Sequence, residues 1–276
     1  MDPAALHPAL FAFQRDIVAW ALRRGRAAVF ADCGLGKTVI TLSAIFDLTL
    51  DSFQIRKVLV IAPLRVAKNT WPDEIEKWEH LRGLTYSVVI GTEAERKAAL
   101  REKAQVYLIN RENVSWLIQD SGFPFDFDMV VVDELSSFKS HQAKRFKSLL
   151  KVRPGVRRMV GLTGTPAANS LLDLWAEFRL LDMGQRLGRF IGNYRNTYFV
   201  PDKRSQQMVF SYRPKPGAEE AIYRQISDIT ISIKNTDYLK LPDLVMNEIS
   251  VRLSEDERRH YQIMQDEMVL SLNGKD

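Results

Sequence analysis

The chain has 276 residues, of which 46% are hydrophobic and 26% are charged. These proportions are typical of a soluble globular protein that needs no disulfide or metal to hold its core. Its apolar runs are far shorter than the ~20 residues that a membrane helix needs. The N-terminal sequence MDPAALHPAL has no basic segment followed by an apolar one, so we expect neither a membrane span nor a signal peptide. A single cysteine excludes an internal disulfide and fits the reducing cytoplasm.

The net charge of +5 is modest, but its distribution along the chain is uneven. Residues 135–172 contain no Asp or Glu, and this basic run carries Lys139, Lys144, Arg145, Lys147, Lys151, Arg153, Arg157 and Arg158. One interpretation is a solvated helix face, and the other is an electrostatic footprint for nucleic acid. The composition alone leaves both interpretations open.

Short β-rich runs alternate with helical patterns along the first two thirds of the chain. The predicted strands are residues 27–31, 58–62, 86–90, 106–110, 129–132 and 158–162, and helical patterns cover 38–50, 71–80, 93–103 and 143–150. This alternation predicts the α/β class, with a parallel sheet flanked by helices. Right-handed crossovers then place the carboxyl ends of the strands at one edge, where ligands bind.

The first strand-to-helix junction, ADCGLGKT, has the composition of a phosphate-binding loop. Gly34 and Gly36 let the backbone curl around a phosphate, while Lys37 would reach the β- and γ-phosphates and Thr38 would bind Mg²⁺. The strict pattern has a glycine where this chain has Ala31, so the match is a relaxed form. A tight corner without a ligand is the alternative, and the flanking strand and helix count against it.

Two later strands end in polar residues that suit the same site. MVVVDEL places Asp133 and Glu134 after a buried strand, where Asp133 would hold Mg²⁺ and Glu134 would orient and deprotonate the attacking water. MVGLTGTPAANS places Thr163 and Thr165 after the next strand, where hydroxyls would bond Glu134 or sense the γ-phosphate. The alternative for the second motif is an ordinary turn ahead of a helix over 169–175.

The pattern changes after residue 181. Residues 183–238 are rich in Gly, Pro, Arg and aromatic residues with weak periodicity, which predicts a helical or irregular insertion. Residues 239–276 read as an extended segment and then a helix, for which Ser254 and Glu257 form a capping box. We expect Trp71, Trp78 and Trp175 in the core, and no structural zinc.

Six segments stand in the order of one known family: FAFQRDIVAWAL, ADCGLGKT, VLVIAPLRVAKNTWPDEIEKW, LINRENV, VVVDELSSFKS and LTGTPAANSLLDLW. In this order they resemble the superfamily 2 helicases, and among them the SNF2-like, DNA-dependent ATPases in their compact phage or bacterial forms. The resemblance implies a RecA-like P-loop lobe at 1–182, an SNF2-type insertion at 183–238 and a bridge at 239–276. That bridge would lead to a second RecA-like lobe, absent from this chain, whose arginines complete hydrolysis.

The resemblance also implies ATP and Mg²⁺ as cofactors and assigns roles to matching residues. Gln14 resembles the glutamine that reads the adenine edge, and Phe13 would pack on or near the base. Lys37, Asp133 and Glu134 match the catalytic motifs, while Thr163 and Thr165 match the motif that couples hydrolysis to movement. The family has a histidine where this chain has Ser136 and commonly a glutamine at Ala168, so contacts made by those side chains are in doubt.

The same resemblance implies contacts with the nucleic-acid backbone. The matching segments begin at Pro63 and at Asn110. We expect DNA phosphates to meet Pro63, Arg65, Lys68, Asn110 and Arg111 in these segments, together with Lys139 from the basic run. We therefore favour a motor lobe that moves on double-stranded DNA without sequence preference, in the cytoplasm of a bacterial or phage-infected cell. An RNA or single-strand helicase lobe is one alternative. A nucleotide-gated binding module without productive hydrolysis is another, because the lone lobe is expected to hydrolyse ATP poorly; the oligomeric state stays open.

Overall fold

A seven-stranded parallel sheet organises the larger unit of the protein. The computed structural model describes residues 8–167, 169–202, 211–238 and 249–267. The strands are β1 (Arg26–Ala31), β2 (Val58–Ala62), β3 (Tyr86–Val89), β4 (Val106–Asn110), β5 (Met129–Asp133), β6 (Arg158–Thr163), β7 (Phe199–Pro201), β8 (Tyr212–Pro214) and β9 (Thr230–Ile233). The sheet order is β3-β4-β2-β5-β6-β1-β9, and β7 pairs with β8 as a separate antiparallel ribbon.

Both faces of the sheet are covered by helices. In chain order, the helices of the described residues are α1 (Ala12–Leu22), α2 (Lys37–Phe46), α3 (Trp71–Lys77), α4 (Glu93–Arg101), α5 (Val114–Gln119), α6 (Lys144–Val152), α7 (Asp173–Asp182), α8 (Ile191–Tyr198), α9 (Ala218–Ile226), α10 (Asn235–Tyr238) and α11 (Glu255–Glu267), of which α11 lies in the second compact unit of the chain. In β2, Val58 and Val60 pack into one hydrophobic core while Leu59 and Ile61 pack into the other. Successive side chains point to opposite faces, so a strand buried on both sides is apolar throughout.

The predicted α/β class and parallel sheet are confirmed. All six predicted strands are present with ends that differ by at most one residue from the prediction. The sequence reading missed β9, which lies within the segment predicted to be a helical or irregular insertion. This strand pairs in parallel with β1 at the sheet edge, with Ala28 opposite Thr230. Its sequence, TISI, is short and half polar, which is why its hydrophobic pattern is weak.

All five predicted helices differ from their predicted bounds. The helices predicted over 71–80, 93–103 and 143–150 are Trp71–Lys77, Glu93–Arg101 and Lys144–Val152, and the other two differ more. The helix predicted over 38–50 begins at Lys37 and ends at Phe46, and a π-helical turn continues it over Asp47–Asp51. The helix predicted over 169–175 begins only at Asp173 and runs to Asp182. Asn169 donates its backbone N–H to the Asp173 carboxylate, and Leu172 donates to the Ser170 hydroxyl. These polar side chains therefore hold a turn ahead of the helix, as such residues commonly do.

The basic run of residues 135–172 is not a single surface. Arg153 is 1% exposed, and its guanidinium donates to the carbonyls of Val156, Leu180 and Leu181. The buried Arg153 side chain therefore caps the C-terminus of helix α7 and cannot contact a nucleic acid. Arg158 is also half buried, and it donates to the carbonyls of Leu22 and Arg24. Neither interpretation of the basic run holds for these two arginines.

The chain divides into two compact units at residues 239/240. In the second unit, Ser254 and Glu257 form the predicted capping box ahead of α11, because each side chain accepts the other's backbone N–H. The extended segment predicted from residue 239 lies largely outside the described residues, as does Ala168. None of the helices in the described ranges combines the length and apolar character required to cross a membrane.

Candidate functional site

The loop between β1 and α2 has the backbone of a phosphate cradle. Gly34 (φ +87°) and Gly36 (φ +79°) both adopt the left-handed conformation that favours glycine. A Cβ at Gly36 would lie 2.4 Å from the Gln14 amide nitrogen, so a side chain there would displace Gln14. Helix α2 begins directly after the loop, and its unpaired N–H groups and dipole favour an anion at this end.

Lys37 lies across the inside of this loop. Its Nζ donates to the carbonyl of Ala31 at 2.6 Å and to that of Asp32 at 3.1 Å. The turn after β6 is close by, because a Cβ at Gly164 would lie 4.0 Å from the same Nζ. The lysine ammonium is therefore held by backbone carbonyls at the point where β1 and β6 end.

Asp133 ends β5, two positions along the sheet from β1. Its Oδ2 accepts a hydrogen bond from the indole Nε1 of Trp71 at 2.9 Å. Burial raises the pKa of the Asp133 carboxyl above its usual value, and the charge of Glu134 adds to that effect. The Trp71 hydrogen bond and the Lys37 charge act in the opposite direction. A cation beside this carboxyl would therefore offset an electrostatic cost that is already present.

Glu134 has a left-handed backbone (φ 60°, ψ 62°), which is uncommon for a residue with a side chain. Strained conformations of this kind cluster at functional sites. Its Oε1 accepts hydrogen bonds from the Ser136 hydroxyl at 3.0 Å and from the Thr163 hydroxyl at 3.3 Å. Ser136, which replaces the family's histidine, thus contacts the acid itself. The backbone bend turns Glu134 toward the end of β6.

The two threonines of the third motif have different surroundings. Thr163 is fully buried, and besides bonding Glu134 its hydroxyl accepts the backbone N–H of Thr165 at 3.0 Å. Thr165, two residues later, is exposed. The bond from Thr163 to the acidic motif is the contact that the sequence analysis anticipated, whereas the coupling role of both threonines stays a prediction.

An open cleft of about 460 Å³ lies beside the loop, a size found in small-molecule sites. Its lining comprises Phe11, Gln14, Cys33, Gly34, Gly36, Lys37, Thr38, Val39, Thr70, Glu74, Lys77 and Trp78. Gln14 is 5% exposed, and its amide accepts the Phe11 N–H and donates to the Leu35 carbonyl. Gln14 therefore joins the start of α1 to the loop.

Phe11 and Trp78 are the aromatic side chains among the residues that line this cleft, and neither was predicted from the sequence to be a site residue. Phe11 is 64% exposed, and its ring stacks on that of Phe13 with 5.9 Å between centroids. Phe13 in turn packs against the hydrophobic core. Phe13 thus supports Phe11, and the predicted contact of Phe13 with a base stays a prediction.

The side chains present suit a magnesium nucleotide. The Thr38 hydroxyl and the Asp133 carboxylate are oxygen donors, which Mg²⁺ prefers. The glycine-lined turn at a helix N-terminus and the Lys37 ammonium suit phosphates. These groups meet because β1, β5 and β6 are consecutive members of the sheet and end at the same edge.

The predicted nucleic-acid residues occupy the neighbouring part of that edge. Pro63, Arg65 and Lys68 follow β2. Asn110 ends β4, where it pairs with Ala62 of β2, and Arg111 follows it. Arg65 and Lys68 are exposed, and Lys139 follows β5 with partial exposure. Asn110 is buried, with its amide bonded to Glu112 and Asn113. It therefore shapes the turn, and its predicted contact with nucleic acid remains untested.

Comparison with known proteins identifies the family of this arrangement. The SNF2-related domain matches residues 13–276. Protein p41 of Acyrthosiphon pisum secondary endosymbiont phage 1 is 36% identical over 266 residues, which cover 94% of this chain and 58% of that protein. The human DNA annealing helicase and endonuclease ZRANB3 is 29% identical, over 90% of this chain and 23% of the human protein.

Solved structures agree on the fold. The Sulfolobus solfataricus SWI2/SNF2 ATPase core in complex with double-stranded DNA superimposes with a TM-score of 0.69 at 22% identity. The match covers 85% of this chain and 46% of the archaeal one. This chain thus spans little more than half of the phage relative and less than half of that ATPase core.

Proposed function

This chain belongs to the SNF2-related domain family, and we propose that it is the first motor lobe of a DNA-dependent ATPase that moves along double-stranded DNA. The observation that carries the proposal is the meeting of three motifs at one sheet edge. Lys37 holds the end of β1, Asp133 ends β5, and the Thr163 hydroxyl at the end of β6 donates to the Glu134 carboxylate. Ordinary turns at the three strand ends would not require these contacts between the motifs.

In this proposal ATP lies in the cleft beside α2. Gln14 and the exposed ring of Phe11 bind the base, and Lys37 binds the β- and γ-phosphates. Thr38 and Asp133 would hold Mg²⁺, which would neutralise charge on the phosphates. Glu134 orients and deprotonates the attacking water, and Thr163 holds that carboxylate in place. Thr165, which is exposed two residues after Thr163, couples hydrolysis of ATP to movement along DNA.

DNA would lie across the carboxyl ends of β4, β2 and β5. Arg65, Lys68 and Lys139 contact phosphates, so binding tolerates any sequence and weakens with salt. The solved SNF2 core with double-stranded DNA and the human relative named a DNA annealing helicase support DNA over RNA. We propose that a second RecA-like lobe, beyond the part matched here, supplies the arginines that complete hydrolysis. The reducing cytoplasm of a bacterial or phage-infected cell is the proposed location.

Removal of the loop lysine tests the nucleotide site. Lys37→Ala should weaken binding of a magnesium-bound, slowly hydrolysed ATP analogue on the order of 100-fold, or ~2.7 kcal/mol, because a charge that pairs with phosphates is lost. Isothermal titration calorimetry on this chain measures the effect. Lys97→Ala is the matched control, because Lys97 lies on α4 and pairs with Glu93. Equal affinity of both variants would contradict the assignment.

The nucleic-acid substrate is tested by stimulation of ATP hydrolysis. With the second lobe present, turnover should rise most with duplex DNA and less with single-stranded DNA or RNA. Stronger stimulation by RNA would favour the alternative helicase lobe. No turnover with any nucleic acid, together with intact nucleotide binding, would favour a nucleotide-gated binding module.

A further inference from the structure

The side chain that contacts the carboxylate at the end of β5 comes from a different part of the chain. Trp71 is fully buried, and its indole N–H donates to Asp133 Oδ2 at 2.9 Å. Trp71 begins α3, which follows β2, while Asp133 ends β5. The two strands are neighbours, with Ile61 opposite Val132. The sequence analysis assigned Trp71 only to the core, and its hydrophobic ring does pack there.

Packing alone does not require this hydrogen bond. Trp116 also packs against a hydrophobic core, and within the described residues its buried indole nitrogen has no hydrogen-bond partner. The protein therefore tolerates a tryptophan whose N–H is unpaired. Trp71 instead directs its N–H at an acidic oxygen, and a bond to a charged group is stronger than a neutral one.

The chain before Trp71 has an unusual backbone. Residues Val66–Thr70 form a π-helical turn that leads directly into α3. Such turns are rare and occur frequently at functional sites. Ala67 within the turn is fully buried, whereas Arg65 and Lys68 are exposed. The segment therefore presents Arg65 and Lys68 to solvent on its outer side. On its inner side Ala67 is buried, and the buried Trp71 that follows contacts Asp133.

We propose that Trp71 is a positioning residue for Asp133, which it holds in the orientation that binds Mg²⁺ with nucleotide. This inference rests on the proposed function, because it takes Asp133 as the metal carboxylate. One carboxylate oxygen is committed to the indole, so the rotamer of Asp133 depends on the segment after β2. Partners of this kind, one step removed from the metal, commonly change metal affinity by about 10- to 100-fold.

The test removes the N–H and keeps a buried aromatic ring. Trp71→Phe should raise the Mg²⁺ concentration for half-maximal binding of the ATP analogue about tenfold. Binding of the analogue without metal should stay unchanged, because phosphates still meet Lys37 and the loop. Trp116→Phe is the matched control and should leave both values unchanged. A general packing defect would weaken binding with and without metal alike.

A measurement on the unaltered chain covers the case in which Trp71→Phe fails to fold. Nitrogen-15 labelling of the indoles gives each tryptophan a separate N–H resonance. Addition of Mg²⁺ to the complex with the ATP analogue should shift the Trp71 resonance and leave that of Trp116 in place. An unmoved Trp71 resonance, or equal Mg²⁺ requirements for the two Phe variants, would overturn the inference. Failure of the unaltered chain to bind the magnesium-bound analogue would overturn the proposed function itself.

Discussion

The charged residues at the carboxyl edge of the sheet and those of the basic run have opposite uses. At the edge, Lys37 follows β1 and Asp133 ends β5, and the Lys37 charge acts on the Asp133 carboxyl. In the basic run, Arg153 and Arg158 donate to carbonyls of the protein itself. The basic run is the denser in charge, yet these two arginines serve the fold. Position relative to a strand end is therefore a better guide to function than charge density.

Arg153 shows the cost of this structural use. Burial lowers the pKa of its guanidinium to about 10, with the charge of Arg26 adding to the effect. The guanidinium donates hydrogen bonds to the Val156 carbonyl and to the carbonyls of Leu180 and Leu181, which lie in the last turn of α7. These carbonyls have no intrahelical partner at a helix end, so the arginine satisfies them. Its charge is retained because the hydrogen bonds offset desolvation.

The largest effect expected from a test of this comparison is on stability. Arg153→Met should lower the free energy of unfolding by about 3 kcal/mol, because buried carbonyls lose their donor. Arg157→Met is the control, since the Arg157 side chain is 66% exposed and should change stability by less than about 1 kcal/mol. Urea denaturation measures both. Equal midpoints would show that Arg153 does not differ from a surface arginine.

Glu177 lies between the two sets of charges. It is fully buried on α7, and neither carboxylate oxygen has a hydrogen-bond partner within the described residues. Burial raises the pKa of Glu177 well above its usual value, and the charges of Asp173 and Glu134 add to this while Lys139 opposes it. The folded protein therefore keeps a proton on Glu177 that the unfolded chain releases, so stability falls as pH rises between the two pKa values.

Glu177→Gln removes that dependence. The variant should gain stability over the unaltered chain by about 1.4 kcal/mol for each pH unit within this window, and little at pH 4, where both states are protonated. Urea midpoints from pH 4 to pH 8 check the sign. Glu220→Gln, at an exposed position of α9, should show no such trend. A difference that shrinks with rising pH would contradict a protonated Glu177.

The smallest expected effect separates two lysines within the basic run. Lys139 follows β5 at the carboxyl edge, whereas Lys151 lies exposed in the last turn of α6, just ahead of the start of β6. Lys139→Gln should reduce the salt slope of duplex DNA binding by about 0.9, and Lys151→Gln should leave it unchanged. Fluorescence anisotropy at several salt concentrations measures the slopes. Equal slopes would contradict the proposal that DNA contacts Lys139 at the carboxyl edge and not Lys151 near the start of β6.

The strands and the acidic motif were predictable because each depends on local sequence. Val58 to Ala62 are apolar throughout and rich in β-branched residues, as a short strand buried on both faces requires. Phe11 and Trp71 were not predictable as site residues, because their roles arise from contacts between segments far apart in the chain. An aromatic residue in an apolar pattern has the same appearance in sequence whether its edge faces a core, a cleft or a carboxylate.

The phosphate loop can form all its contacts only after strand β9 and the residues that follow it have been synthesised. Asp32 in that loop accepts the backbone N–H of Asn235, which lies 203 positions later. At about 5–20 residues per second, a ribosome needs on the order of 10–40 s to make the intervening chain. Until then β1 is an edge strand, the kind that pairs readily with other chains. The interval in which β1 is the exposed edge ends when residues 230–233 leave the ribosome and dock beside it, and the short strand β9 then takes the edge position.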